Sequence, residues 1–280
     1  MLKKVLIIIN ISKDASMILA KEIASELKSY GFACDFFSFD GFCDNSPIKN
    51  YDFVITLGGD GTVLYAARNC LDSSIPLFPI NLGEFGFIAS IEPSEWKEAL
   101  KKYIEGKASS SYRGMIFVEV LRNNEKVYSS YALNDAVVKS HSTTSIHLNL
   151  FYDNLSLCEL KSDGVIISTS TGSTAYSASA GGPIISPELN AIVMTPVNSF
   201  SLSSRPIVLN PDKELILKVE KSRTKEVYLT VDGQEPFSLL LNDIIHIKKT
   251  EKQIKLIYCT SENFYSALRS KLNWWGGPHA

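Results

Sequence analysis

The chain has 280 residues, a net charge of -2, and 45% hydrophobic against 21% charged residues. That is enough for one large or two ordinary domains in a folded rather than disordered chain. The charge balance excludes a nucleic-acid backbone binder, since Lys101-Lys102 and Lys248-Lys249, the densest basic spots, read as solvated faces.

In chain order, residues 5–9 form a continuous apolar run, as in a central parallel strand. The opening resembles a secretory leader, but its run is too short and Asn10, Ser12 and Asp14 follow at once. Ser12 to Asp14 can cap a helix whose Leu19, Ile23 and Leu27 recur every four residues until Gly31 ends it. Residues 34–37 predict a second strand, a polar loop runs to Tyr51, and 53–57 predict a third. Helical character over 63–68, a strand over 77–82 and a helix from Trp96 through Leu100 to Ile104, closed by Gly106, complete an open, Rossmann-like α/β domain over 1–106. Residues 107–111 read as a linker. Short strands then dominate, over 116–121, 127–133, 146–151, 165–169, 192–195, 214–219, 227–231, 244–247 and 254–258. This predicts a β-sandwich-like second domain over 112–258. The tail, 259–280, contains a short helix over 264–275 expected to pack on the first domain or on another subunit.

Cys34, Cys43, Cys70, Cys158 and Cys259 are odd in number, scattered and without C-x-x-C spacing, which favours free thiols and a cytoplasmic location. No apolar stretch is long enough to cross a membrane, so no membrane partner is expected. His141, His147, His246 and His279 show no metal-ligand spacing.

Two polar centres stand out. The first is Gly58-Gly59-Asp60-Gly61-Thr62 between the third strand and the following helix. Such a turn aims backbone N–H groups at an anion, and the Asp60 carboxylate within it suits a metal ion or a proton. It is neither a Walker A loop nor a dinucleotide fingerprint, and taken alone it equally fits a plain turn. The second is the Ser/Thr-rich run from Ser168 to Pro183, whose hydroxyls and small residues suit a flat ligand with ribose groups. Its alternative is a linker or an ordinary capped helix. Asn134-Asp135 reads as an Asx turn or a ribose grip, and Asp232-Gly233 as a hairpin turn.

Together these motifs resemble the bacterial type of the NAD kinase family over nearly the whole chain. The matching stretches are Gly58 to Thr62, Asn81-Leu82-Gly83-Glu84-Phe85-Gly86-Phe87, Asn134-Asp135, Asp163-Gly164 through Gly172 to Ser177, and Val231 to Gln234. The glycine turn alone is shared with lipid kinases and phosphofructokinases; the tyrosine-bearing Ser/Thr segment separates this chain from them. The resemblance implies transfer of the terminal phosphoryl of ATP, or of polyphosphate, to the 2′-hydroxyl of the adenosine ribose of NAD. It implies Asp60 as proton acceptor and Gly58, Gly59, Gly61 and Thr62 as the phosphate turn. It implies an NAD site of Asp60, Gly61, Phe87 on the adenine side, Asn134, Asp135, Lys161, Asp163, Thr174, Ala175, Tyr176, Ser177, Ala178, Ser179 and Gln234. It further implies a divalent cation, Mg²⁺, with unassigned ligands, and a homodimer or homotetramer whose site two subunits can share. Ser170 stands where many relatives have proline and Gly233 where some have histidine, and residues 198–205 match the bacterial branch without individual roles. The rival readings are a lipid or sugar kinase and a non-catalytic dinucleotide sensor.

Overall fold

The structure, a computed structural model, describes residues 3–13, 15–41, 47–83, 86–141, 144–221 and 226–272. It divides into two compact units, Met1–Arg113 with Lys252–Ala280, and Gly114–Glu251.

In the first unit, β1 (Lys3–Asn10), α1 (Ser16–Ser29), β2 (Phe32–Phe39), β3 (Phe53–Gly58), α2 (Asp60–Cys70), β4 (Leu77–Asn81) and α3 (Trp96–Ile104) alternate. The strands pair in parallel in the order β2-β1-β3-β4. Leu256, from the last strand of the chain, adds a parallel pairing with Leu77. Val5 to Ile9 are all buried, as a strand covered on both faces requires. Helix α1 turns Ala20, Ile23 and Leu27 inward, one stripe at helical spacing. Helix α2 is buried from Thr62 to Cys70, and its Tyr65 ring stacks on Phe37 and Phe39 at 5.5 and 4.9 Å. Strand order reverses between β1 and β3. In open α/β sheets the carboxyl edge at such a reversal is where ligands bind, and the glycine turn leaves β3 there.

The second unit begins within β5 (Ser110–Arg122) and continues through β6 (Glu125–Ala132), β7 (Asp135–Ser140), β8 (Ile146–Tyr152), β9 (Leu155–Ser162) and β10 (Gly164–Thr169). A one-turn helix α4 (Tyr176–Ser179) follows, then β11 (Ile192–Val197), β12 (Ile207–Leu209), β13 (Leu215–Val219), β14 (Val227–Val231), β15 (Phe237–Leu239) and β16 (Ile244–Ile257). Strands β12-β11-β10-β7-β14-β15 form one antiparallel sheet, and β13 lies between β8 and β16 in another. Leu148, Leu217 and Ile247 of the latter share a core with Val138, Ile167 and Leu229 of the former. Sheet faces packed through a common core make a sandwich. Helix α5 (Ser261–Lys271), in the first unit, ends the described chain.

Several elements differ from expectation. Ser110 and Ser111 open β5 instead of extending a linker. The strands expected over 244–247 and 254–258 are one strand, β16, whose Lys248, Glu251, Lys252 and Gln253 face solvent while Thr250 is buried. Strands β7, β9, β12 and β15 have no counterpart in the sequence reading. Helix α1 starts without a side-chain cap at Ala15, and Ser16 Oγ instead donates to the Asn10 and Lys13 carbonyls. Asp14, Cys43, Glu84, Phe85, Trp275 and His279 lie outside the described residues.

Candidate active site

Gly58 ends β3, Gly59 is extended at φ -99° and ψ -168°, and Asp60 opens α2. A carboxylate in the first turn of a helix is favoured by the helix dipole. Its oxygens are turned onto one short segment. Oδ2 accepts from the Phe87 amide at 2.8 Å, and Oδ1 accepts from Ile88 and Ala89 at 3.2 and 2.9 Å. Two carboxylate oxygens offer about four acceptor positions, so three amides leave room for one more donor. Phe87 contributes its amide here, while its half-buried ring packs 6.2 Å from Phe264.

The glycines of the turn have different reasons. A Cβ at Gly58 would sit 2.2 Å from Thr62 Oγ1, so bare backbone is required by packing. Thr62 itself is buried with its hydroxyl against Gly58. A Cβ at Gly59 or Gly61 would meet nothing within 4 Å, so the fold alone does not require glycine there. A cleft of about 230 Å³ beside Ser90, Glu98, Lys102 and Tyr258 does not include Asp60.

In the second unit, Asn134, Asp135, Asp232 and Gln234 come together at one end of the six-stranded sheet. Asp232 and Gly233 both have positive φ, +49° and +66°, and the Gln234 amide donates to Val231 O, which is a type I′ hairpin turn. The turn has a second use that sequence reasoning missed. Asp232 Oδ2 accepts from the Leu133 amide at 3.0 Å, and Oδ1 accepts from Asn134 and Asp135 at 2.8 and 3.2 Å. A Cβ at Gly172 would lie 2.1 Å from Asn134 O, so that glycine lets the Ser/Thr loop close over Asn134.

The hydroxyls of that loop are largely committed to it. Thr169 Oγ1 donates to Leu133 O and accepts from Gly172 N, Ser170 Oγ donates to Leu189 O, Ser173 Oγ to Ser170 O, and Ser177 Oγ pairs with Thr195 Oγ1. Thr174 is half-buried on Thr171 O. Tyr176, 41% exposed, and Ser179 are open to solvent, with Ala175 and Ala178 half-buried between. Asn134 Oδ1 and Ser168 Oγ are buried without a hydrogen-bond partner among the described residues. Buried polar groups left so are costly.

Lys161 and Asp163 lie apart from this group. Asp163 precedes β10, whereas Ser168, opposite Asp135, is near its far end. Five steps of strand place them about 16 Å apart. Asn198 Nδ2 donates to Asp163 Oδ2 at 3.0 Å, and Lys161 Nζ sits 4.6 Å from the centre of the Phe200 ring. The 198–205 segment thus supports these two residues.

The sequence matches the ATP-NAD kinase N-terminal domain over residues 40–108 and the ATP-NAD kinase C-terminal domain over residues 133–259. It is 42% identical to the NAD kinase of Treponema denticola over 98% of both chains. The chain belongs to the NAD kinase family. A Thermoanaerobacter NAD kinase is 34% identical over 97% of this chain and 99% of its own. Among solved structures, yeast NADH kinase complexed with NADH has a TM-score of 0.89, at 23% identity, over 99% of this chain and 89% of that one. An Archaeoglobus fulgidus NAD kinase in complex with ATP has a TM-score of 0.76, at 24% identity, over 96% and 99%.

In this NAD kinase family member the second unit also holds a perturbed acid. Burial, with the nearby Asp232 charge, pushes the Asp135 carboxyl up to about 7. A carboxyl whose folded pKa is raised gives stability that is full below its unfolded pKa, near 3.8, and is lost as pH rises through about 7. Asp135→Asn removes that loss. Its stability gain over wild type, measured by urea unfolding, should be larger at pH 8 than at pH 5 by on the order of 2–3 kcal/mol. An equal difference at both pH values would show that Asp135 is not the titrating group.

Proposed function

We propose that Asp60 accepts the proton of the adenosine 2′-hydroxyl of NAD as the terminal phosphoryl of ATP is transferred to that oxygen. The family assignment supplies the overall reaction, ATP and NAD giving NADP. The observation that carries the residue role is the carboxylate at the start of α2, fixed by three amides with one acceptor position left. Phosphoryl transfer asks little covalent chemistry of a protein; it asks for positioning and for a group to take the proton. A carboxylate is a weak base toward an alcohol in the ground state, so the proton moves late, as the phosphoryl arrives.

Gly59 and Gly61 leave room for phosphate oxygens near the α2 N-terminus, where amides and dipole favour anions. Gly58 and Thr62 hold the turn's shape. Asn134 and Asp135 grip a ribose, Asn134 through its buried amide oxygen. Tyr176 offers an exposed ring face, with Ala175, Ala178 and Ser179 around it and Gln234 beside Asp232. Phe87 lines the adenine side with its half-buried ring while its amide holds Asp60. Among the described residues no three His, Cys, Asp or Glu side chains converge. Mg²⁺ commonly binds through substrate phosphates, waters and one or two carboxylates, so this donor set fits a cation carried by ATP. When bound, it neutralises phosphate charge. Four described cysteines are free, which supports a reducing, cytoplasmic setting. Among the described residues no helix is long and apolar enough to cross a membrane.

The distance of Lys161 and Asp163 from the Asn134 group supports a homo-oligomer in which they serve the NAD bound to a second copy. Asp163→Ala and Asn134→Ala should each be inactive alone yet recover NADP formation when co-assembled, because each mixed pair regenerates one intact site. No recovery in mixed assemblies would refute the shared site. Asp60→Asn should lower kcat for NADP formation about 10²–10⁴-fold, with KM for NAD little changed. Equal rates would remove Asp60 from the proton-accepting role.

A further inference from the structure

The amides that hold Asp60 belong to peptide units that are themselves held from the other end. The Phe87 N–H bonded to Asp60 Oδ2 shares its peptide with the Gly86 carbonyl, and that carbonyl accepts from Lys271 Nζ. The Ala89 N–H bonded to Asp60 Oδ1 shares its peptide with the Ile88 carbonyl, and that carbonyl accepts from Cys259 Sγ at 2.9 Å. Two successive relays therefore run from the C-terminal segment through a peptide group to the Asp60 carboxylate.

The segment is built to keep both in place. Cys259 is 2% exposed, and its own carbonyl accepts from Arg113 Nη2 at 2.6 Å and Ser111 Oγ at 2.5 Å. Ser90 Oγ donates to Tyr258 O at 2.8 Å. Helix α5 starts with a capping box at Thr260 and Asn263, and its Phe264 packs on Phe87. Lys271 lies in the last turn of α5, where a cation is favoured by the helix dipole. Gly86 also lacks room for a side chain, since a Cβ there would meet Asp60 Oδ1 at 2.8 Å.

From this geometry we infer that Lys271 and Cys259 are positioning residues for phosphoryl transfer, orienting the Gly86–Phe87 and Ile88–Ala89 peptides that fix the Asp60 carboxylate. An ammonium on a carbonyl is the stronger of the two holds, and donors chained through a peptide polarise one another. A small misplacement of a reacting group is costly to rate and leaves binding nearly intact. The inference rests on Asp60 being the proton acceptor.

The test uses full-length Lys271→Met, Lys271→Arg and Cys259→Ala, with NADP formation and amide hydrogen exchange read together. Lys271→Met should lower kcat about tenfold or more with less than about a twofold change in KM for NAD. Exchange at Phe87 and Ala89 should quicken, while exchange in the β-sheet core stays as in wild type. Lys271→Arg should restore most of kcat, and Cys259→Ala should show the same split with faster exchange at Ala89. Unchanged kcat in both Lys271→Met and Cys259→Ala would overturn the inference. So would a lower kcat without faster exchange at these amides. Should Lys271→Met lose its fold, Cys259→Ala decides alone by the same two readouts. Failure of the Asp60 role is seen separately, as Asp60→Asn turning over at the wild-type rate, and leaves the exchange results standing.

Discussion

The bond set on which the proposed proton transfer depends joins one carboxylate to three consecutive amides. Asp60 stands at the start of a buried helix, and Phe87, Ile88 and Ala89 present their N–H groups to it. A charged acceptor roughly doubles the strength of such bonds over neutral pairs. The arrangement therefore works in both directions. The segment orients the carboxylate, and the carboxylate organises a segment that has no regular secondary structure to hold it. The parallel sheet supplies the rest, because the reversal of strand order at β1 and β3 opens the carboxyl edge where the turn emerges.

The second unit uses the same device. Asp232 gathers the amides of Leu133, Asn134 and Asp135, fixing the entry to β7. Its charge also acts on Asp135, which burial has already made reluctant to ionise. A carboxyl poised near neutrality can either donate to a ribose hydroxyl or accept from it. In both units one carboxylate accepts from three successive backbone amides of a segment distant in the chain.

The strand, turn and helix around Asp60 were legible because apolar runs and a glycine-aspartate turn are local signals. The run at 5–9 was legible for the same reason. Strand β9 was not, because it buries only Leu160 and Ser162 and shows half of its residues to solvent. Strand β7 was hidden because Asn134-Asp135 reads as a turn, although Asp135 is already paired opposite Ser168. The Ser/Thr-rich run was legible as a polar centre but not in its detail. Composition cannot show that Thr169, Ser170, Ser173 and Ser177 bond within the unit while the buried Asn134 amide oxygen has no partner among the described residues. Asp232 shows the converse: a turn residue by every local rule, it also carries long-range hydrogen bonds. The contacts of Lys271 and Cys259 with residues 86–88 leave no trace in local pattern, since they join segments far apart in the chain.

The central claim concerns one distance, which a crystal structure of the protein with NAD and a non-hydrolysable ATP analogue would measure. The account predicts the 2′-oxygen of the adenosine ribose within about 2.6–3.2 Å of an Asp60 carboxylate oxygen, or one water away. It also predicts that the Phe87 and Ala89 amides remain on that carboxylate. A 2′-oxygen held by another residue, with Asp60 out of reach and still bound only by its amides, would contradict it.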